Sequence, residues 1–421
     1  MNLLLRQATI IDPSSPFNQQ QADIFIENGA IQSIGQNLAK TSETIIEKEG
    51  LFVSPGWVDV FAHFPDPGFE YKESLETGAQ AAAAGGYTDV LLIPNTVPAV
   101  HNKSSVEYIV QRSKSLPVNL HPIGAVSKNT EGKELAEMYD MHDSGAIAFG
   151  DGNCSIQPSG IMLKALQYLK AIDKVLIQLP DDRSISATGL MNEGIISTQL
   201  GLPGKPAIAE ELMIARDIDL AKYTSSKIHF TGISTARSVE LIKKAKADGI
   251  TVTCSVTPYH LLFCDEDLET YDTNLKLNPP LRTAADREAL RKAVLEGVVD
   301  CIASHHFPQE KDSKVVEFEY AKYGAIGLQT SFAAMRTILP EMPLENLVAL
   351  FSSRPRKIFD LPAKVIDQNS SACLTLFTDE EWIFNKEDIL SKSSNTPFVG
   401  KSFRGKPFGI INKDQVFLNE H

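Results

Sequence analysis

From about Val58 to Ser304 the chain alternates short, almost uninterrupted apolar runs with amphipathic helical stretches, and this rhythm limits the fold more than any other feature. The apolar runs are VDVF, DVLLIP, LHPIGAV, AIAFG, KVLIQL, KIHFTGI, ITVTCS and DCIAS. A strand that is apolar along its whole length is buried on both faces, which is the condition of a parallel sheet covered by helices. Between the runs lie SLETGAQAAAAGG, SSVEYIVQRSKS, ELAEMYDMHDSG, GIMLKALQYLKAID, AIAEELMIARDIDLAKYT, ARSVELIKKAKADG and ADREALRKAVLEG, all with helical periodicity. Eight such strands with intervening helices predict an α/β fold, a (β/α)8 TIM barrel, in which chemistry sits at the C-terminal ends of the strands.

The two flanks read differently. Residues 1–55 carry the short β-rich runs LLLRQATII, ADIFIENGAIQSIG and TIIEKEGLFVSPG, with Asn28-Gly29 as a hairpin signal, and predict a small antiparallel sheet. Residues 362–421 return to short strands, SACLTLFTD, EWIFN, KPFGIIN and QVFLN. The simplest organisation pairs both ends in one small β-sandwich domain, residues 1–55 with 362–421, and inserts the barrel, residues 56–361, between its halves.

Acidic residues outnumber basic ones 53 to 40, a formal charge of −13. Such a field repels phosphate backbones and anionic lipid, so neither nucleic acid nor membrane is expected as a partner. The N-terminal apolar run lacks a basic region and a cleavage site, and the five cysteines are widely spaced with no CxxC pair. A cytoplasmic protein with buried thiols follows as the expectation. The glycine-containing stretches GDGNCS and GLPGKPA match neither phosphate-binding fingerprint.

After the first barrel strand comes Asp59-Val60-Phe61-Ala62-His63-Phe64-Pro65-Asp66-Pro67-Gly68-Phe69-Glu70-Tyr71-Lys72-Glu73. Further motifs follow in order: Gly85-Gly86-Tyr87-Thr88, Pro94-Asn95-Thr96, Gly132-Lys133-Glu134-Leu135, Met191-Asn192-Glu193-Gly194, Leu202-Pro203-Gly204, Val256-Thr257-Pro258-Tyr259-His260, Asn274 to Arg282, Tyr323 to Leu328, and Ser393 to Phe398 with Gly400. Through these motifs the chain resembles the dihydroorotases of the metal-dependent amidohydrolase superfamily, in the class associated with aspartate transcarbamoylase in pyrimidine biosynthesis. The resemblance implies a binuclear zinc centre held by histidines and a bridging carboxylate, with an aspartate as general base.

The positions that carry that chemistry are largely replaced. Against the family pattern D-x-H-x-H-x-R, the first histidine is Phe61 and the substrate-gripping arginine is Pro65. H-C-E-D reads Leu179-Pro180-Asp181-Asp182, the second histidine of the H-x-x-H stretch that begins at His229 is Gly232, and D-H-A-P-H reads His305-His306-Phe307-Pro308-Gln309. Phenylalanine, leucine and glycine offer a cation no lone pair. His63, Asp151 and His305 remain, where Asp151 matches the bridging aspartate and His305 replaces the catalytic one. Asn95, Asn278 and His306 match vestigial substrate-pocket positions.

Two readings follow. In the first, the protein is a catalytically defective homologue without a cofactor, a scaffold that binds aspartate transcarbamoylase or another copy of itself as a homo-oligomer. His63 and His305 then hydrogen-bond each other or water, with Asp151 as acceptor. In the second, His63, Asp151 and His305 hold one zinc at low occupancy, and its water attacks a cyclic amide such as dihydroorotate.

Overall fold

The computed structural model describes residues 2–40 and 42–419. Eight parallel strands stand side by side in chain order: Trp57–Ala62, Tyr87–Leu92, Asn119–Gly124, Ala148–Phe149, Leu176–Gln178, Ile228–Phe230, Val252–Val256 and Cys301–Ile302. Each coincides with one of the eight apolar runs. The ring closes where His306 forms a parallel bridge to Ala62 and the His63 N–H donates to the His306 carbonyl at 2.9 Å. Below this, the buried Asp59 carboxylate accepts from the Ser304 N–H at 2.6 Å and from its hydroxyl at 2.9 Å.

Alternate residues of the first strand face two different cores, as strand pleating requires. Val58 and Val60 join Leu91, Ile93, Ile123, Ala148, Ile177 and Cys301 in the barrel interior. Trp57 packs outward in the larger core between strands and helices. The helices begin where their caps are encoded: Ser74 caps Leu75–Ala84 in a reciprocal box with Thr77, and Thr235 caps Ala236–Ala247. The predicted helix over 134–145 is shorter, Met138–Asp143. Leu135 is bridged to Ser127 and the Ala136 N–H is bonded to the Val126 carbonyl, so the preceding backbone is held extended.

The two ends of the chain meet in a second eight-stranded sheet. Asn28 and Gly29, both at positive φ, form the turn of the hairpin Gln21–Glu27 and Ala30–Gly35. The expectation of an antiparallel N-terminal sheet is corrected: strand Asn2–Ile10 is antiparallel to Gln21–Glu27 but parallel to Thr44–Glu47 and Phe52–Pro55. The hairpin occupies one edge of the first strand, and the returning chain takes the other edge running in the same direction. Strand Cys373–Ile383 pairs antiparallel with Phe52–Pro55 and with Ser402–Asn412. Two strands were expected in place of Cys373–Ile383; bulges at Leu376/Phe377 and Thr378/Glu381 let one long strand absorb the irregularity. Leu3, Ile24, Ile34, Leu374 and Ile411 share one apolar core in this sheet. Among the described residues no helix is long and apolar enough to cross a membrane.

Candidate functional site

At the C-terminal end of the barrel, the loops after strands one, six and eight converge on His305. Its ring is buried, lies 4.7 Å from the Phe61 ring and 6.1 Å from Phe307, and its Nε2 shares a hydrogen bond of 2.8 Å with the Thr231 hydroxyl. Thr231 accepts from Ser255 at 3.0 Å, and the Ser255 hydroxyl is 3.1 Å from His229 Nε2. A chain of side-chain hydrogen bonds therefore runs from His229 through Ser255 and Thr231 to His305. Next to it Gly232 has φ +65, and a Cβ added there would lie 2.5 Å from His305 Cε1. The space a side chain at 232 would need is already filled by the imidazole.

The other candidates are engaged separately. His63 Nε2 bonds to the Asn95 carbonyl at 2.9 Å, and its ring tilts against Phe307 at 5.5 Å. Asp151 is buried and accepts from both the N–H of Ser127, at 2.9 Å, and its hydroxyl. The expected bond between His63 and His305, with Asp151 as their acceptor, is corrected: each of the three has its own partner on another strand end, and the Phe307 ring packs against both imidazoles. Asn95 spans two loops, donating to the Asp151 carbonyl at 3.1 Å and accepting from the Asn153 N–H at 3.0 Å. Asn278 accepts from Lys205 Nζ at 2.6 Å. His306 faces away from this cluster, with Nε2 3.3 Å from Glu73 and Nδ1 accepting from the Gly327 N–H at 3.3 Å.

Zinc, the metal implied by the resemblance, does not fit this set of side chains as a binuclear centre. Phe61, Leu179 and Gly232 bring no donor atom, Asp151 has both oxygens committed to Ser127, and His305 turns its Nε2 to Thr231. The described residues contain no group of three or more His, Cys, Asp or Glu arranged to hold a metal.

Burial sets the protonation states here. It lowers the pKa of His63 and His260 to about 4 and of His229 and His305 to about 3, the last also through the neighbouring His260 and His229. Burial raises Asp59 and Asp151 to about 6. The four imidazoles are thus neutral between about pH 5 and 8, and a histidine NMR titration should show none of them protonating with the ordinary midpoint near 6.5. A midpoint near 6.5 for His305 would contradict its burial. The linkage has a definite sign: the unfolded chain takes up these protons below about 6.5 and the fold does not, so the histidines cost stability as pH falls. Asp59 and Asp151 act oppositely, because the fold holds their protons up to about 6.

Opening onto His63 is a cavity of about 590 Å³, lined among others by Leu179, Asp181, Asn278, Phe307 and Gln309. Lys205 Nζ reaches in from the short strand Gly204–Lys205 and is fixed by Asp181 at 2.7 Å as well as by Asn278. Gln309 is held between the Lys72 ammonium, at 2.9 Å, and the Tyr323 carbonyl, at 2.8 Å. Lys205 and Glu73 were missed by sequence reasoning. Lys205 had a signal, a lone cation in the otherwise apolar stretch LPGKPA. Glu73 lay inside a quoted motif, but its buried bonds to His306, Ser391 and the Lys392 N–H join segments more than 200 residues apart and leave no local trace.

Comparison with known proteins agrees with the barrel fold. A family model described as dihydro-orotase-like matches residues 50–238. The dihydroorotase of Syntrophus aciditrophicus is 38% identical over 426 residues, covering 100% of both chains, and that of Citrifermentans bemidjiense is 38% identical over 421 residues, covering 99% of each. Among solved structures, an L-hydantoinase (dihydropyrimidinase) from Arthrobacter aurescens superposes with a TM-score of 0.85 at 23% identity, covering 100% of this chain and 96% of that one. A D-hydantoinase superposes with a TM-score of 0.83 at 20% identity, and at these identities the two structures speak for the fold alone.

Proposed function

The chain belongs to the dihydroorotase family, and on that premise we propose that it is a catalytically defective member serving pyrimidine biosynthesis as a structural or regulatory partner of aspartate transcarbamoylase. The observation that carries this reading is the packing of His305 against Phe61 in the space beside Gly232. Hydrolysis of a cyclic amide near neutral pH needs a metal-activated water or an equivalent base poised over the carbonyl carbon. Here the remaining imidazoles and carboxylates are buried, neutral or bonded to serine, threonine and backbone partners. The transcarbamoylase partner rests on the class that the motifs resemble. A chain that keeps the barrel and loses the reactive groups retains a folded surface, which is what a scaffold requires.

The same geometry weighs against a mononuclear centre on His63, Asp151 and His305, since the three engage different partners. The test is dihydroorotate hydrolysis by purified protein supplied with zinc, beside metal analysis and gel filtration with aspartate transcarbamoylase. The expected result is no turnover above buffer, far less than one zinc per chain, and co-elution. Turnover with near-stoichiometric zinc would overturn the proposal, and failure to co-elute would remove the partner from it.

A further inference from the structure

The ionisable side chains around the 590 Å³ cavity are unbalanced. Lys72, Arg183, Lys205 and Lys322 line it, and the only carboxylate among the described lining residues is Asp181. This concentration occurs in a chain whose overall charge is −13. Asp181 is already used: it accepts from Lys205 Nζ at 2.7 Å and from the Ser186 hydroxyl at 2.6 Å. Lys72 has Glu310 at 3.6 Å. Among the described residues the Arg183 guanidinium donates only to the Asn153 carbonyl, at 3.2 Å, and Lys322 makes no ion pair.

Convergent cations repel one another and are costly to hold around one concavity unless an anion enters between them. Lys205 is the fixed member. It is 8% exposed, and two of its three N–H groups are bound to Asp181 and Asn278, leaving the third to donate into the cavity. Phe307, Tyr323 and Leu179 supply apolar lining beside these cations, and His63 is neutral at physiological pH. The volume lies within the range of small-molecule sites.

From this arrangement we infer that the cavity binds a small organic anion, a ring-sized apolar body bearing a dicarboxylate or a phosphate monoester, held by Lys205 with Arg183 and Lys322. The site is not the one that the family's substrate arginine would build, since that position is Pro65 and Lys205, Arg183 and Lys322 come from other loops. The inference rests on the proposal that the mouth no longer serves hydrolysis, which frees it for a ligand that is bound and not consumed.

The experiment is calorimetric titration of the full chain with phthalate and with phenyl phosphate, and with neutral benzyl alcohol as control. Binding of either anion with Kd below about 1 mM is expected, with no binding of the alcohol. Which anion binds assigns the carboxylate or the phosphate source. The double variant Arg183→Glu/Lys322→Glu changes two exposed side chains, so its fold can be checked by circular dichroism. It should weaken binding more than about tenfold, as should raising salt from about 0.05 to 0.5 M. No binding of either anion, or binding unaltered in the double variant, overturns the site. Dihydroorotate turnover by the unmodified chain would instead overturn the function proposed above, and the two failures are read in separate assays.

Discussion

Replacing Arg356 by methionine will destabilise the protein by about 3–5 kcal/mol, the range for removing one partner of a buried ion pair. Arg356 is 3% exposed and donates from Nη2 to Asp89 Oδ2 at 2.6 Å, to the Gly56 carbonyl at 3.0 Å and to the Thr88 hydroxyl at 3.2 Å. Gly56 joins the terminal sheet to the first barrel strand, and Thr88 and Asp89 belong to the second, so this guanidinium ties the two sheets together beneath the barrel. Burial alone would push the Asp89 carboxyl up, but Arg356 and then His121 hold it well below the ordinary carboxylate range. Methionine fills the volume and leaves a buried carboxylate without its counter-charge. Asp89 contributes stability above its unfolded pKa and loses it as pH falls, and in the variant this acid dependence should shrink. Urea unfolding of the wild type, Arg356→Met and the double variant with Asp89→Asn checks the claim. The double variant should recover much of the loss, and a single-variant loss under about 1 kcal/mol would show that the pair is unimportant.

The second large effect is expected at Gly232, where alanine should cost about 2–4 kcal/mol from two separable causes. The backbone there has φ +65, a conformation that costs a residue with a side chain about 1–2 kcal/mol. The added methyl would also lie 2.5 Å from His305 Cε1, 3.1 Å from its Nε2 and 3.3 Å from Pro279 Cδ. Shortening the imidazole with His305→Ala relieves the contact and leaves the backbone cost. A double-mutant cycle should therefore show favourable coupling of at least about 1 kcal/mol. Strict additivity would mean that the imidazole does not occupy this space. For the same reason, histidine introduced at 232 alone should fail to raise zinc binding, because its side chain has nowhere to enter until His305 is changed.

The architecture was readable because it rests on local periodicity. Every one of the eight barrel strands overlaps a run picked out by its continuous apolarity, and the capped helices begin at Ser74, Thr235 and Thr283 where short polar residues precede apolar faces. The errors fell where backbone pairing, which side-chain periodicity does not encode, decides the conformation. The parallel pairing of Asn2–Ile10 with Thr44–Glu47 depends on which edge the hairpin leaves open, and the helix after Leu135 was shortened by a bridge to Ser127.

The site divides along the same line. The absence of donor atoms at Phe61, Leu179 and Gly232 is a property of the residues themselves and was settled by sequence alone, as was the barrel that presents them. How those positions are filled was decided by tertiary structure. His305 turns to Thr231, Asp151 is bound by Ser127, and His63 lies on the Asn95 carbonyl. Lys72, Arg183, Lys205 and Lys322 surround one cavity because the loops that bear them rise from three strands, the first, fifth and eighth, of a closed ring. Lone pairs and periodicity belong to a residue and its neighbours in sequence, whereas hydrogen-bond partners and the meeting of charges are set only when the barrel closes.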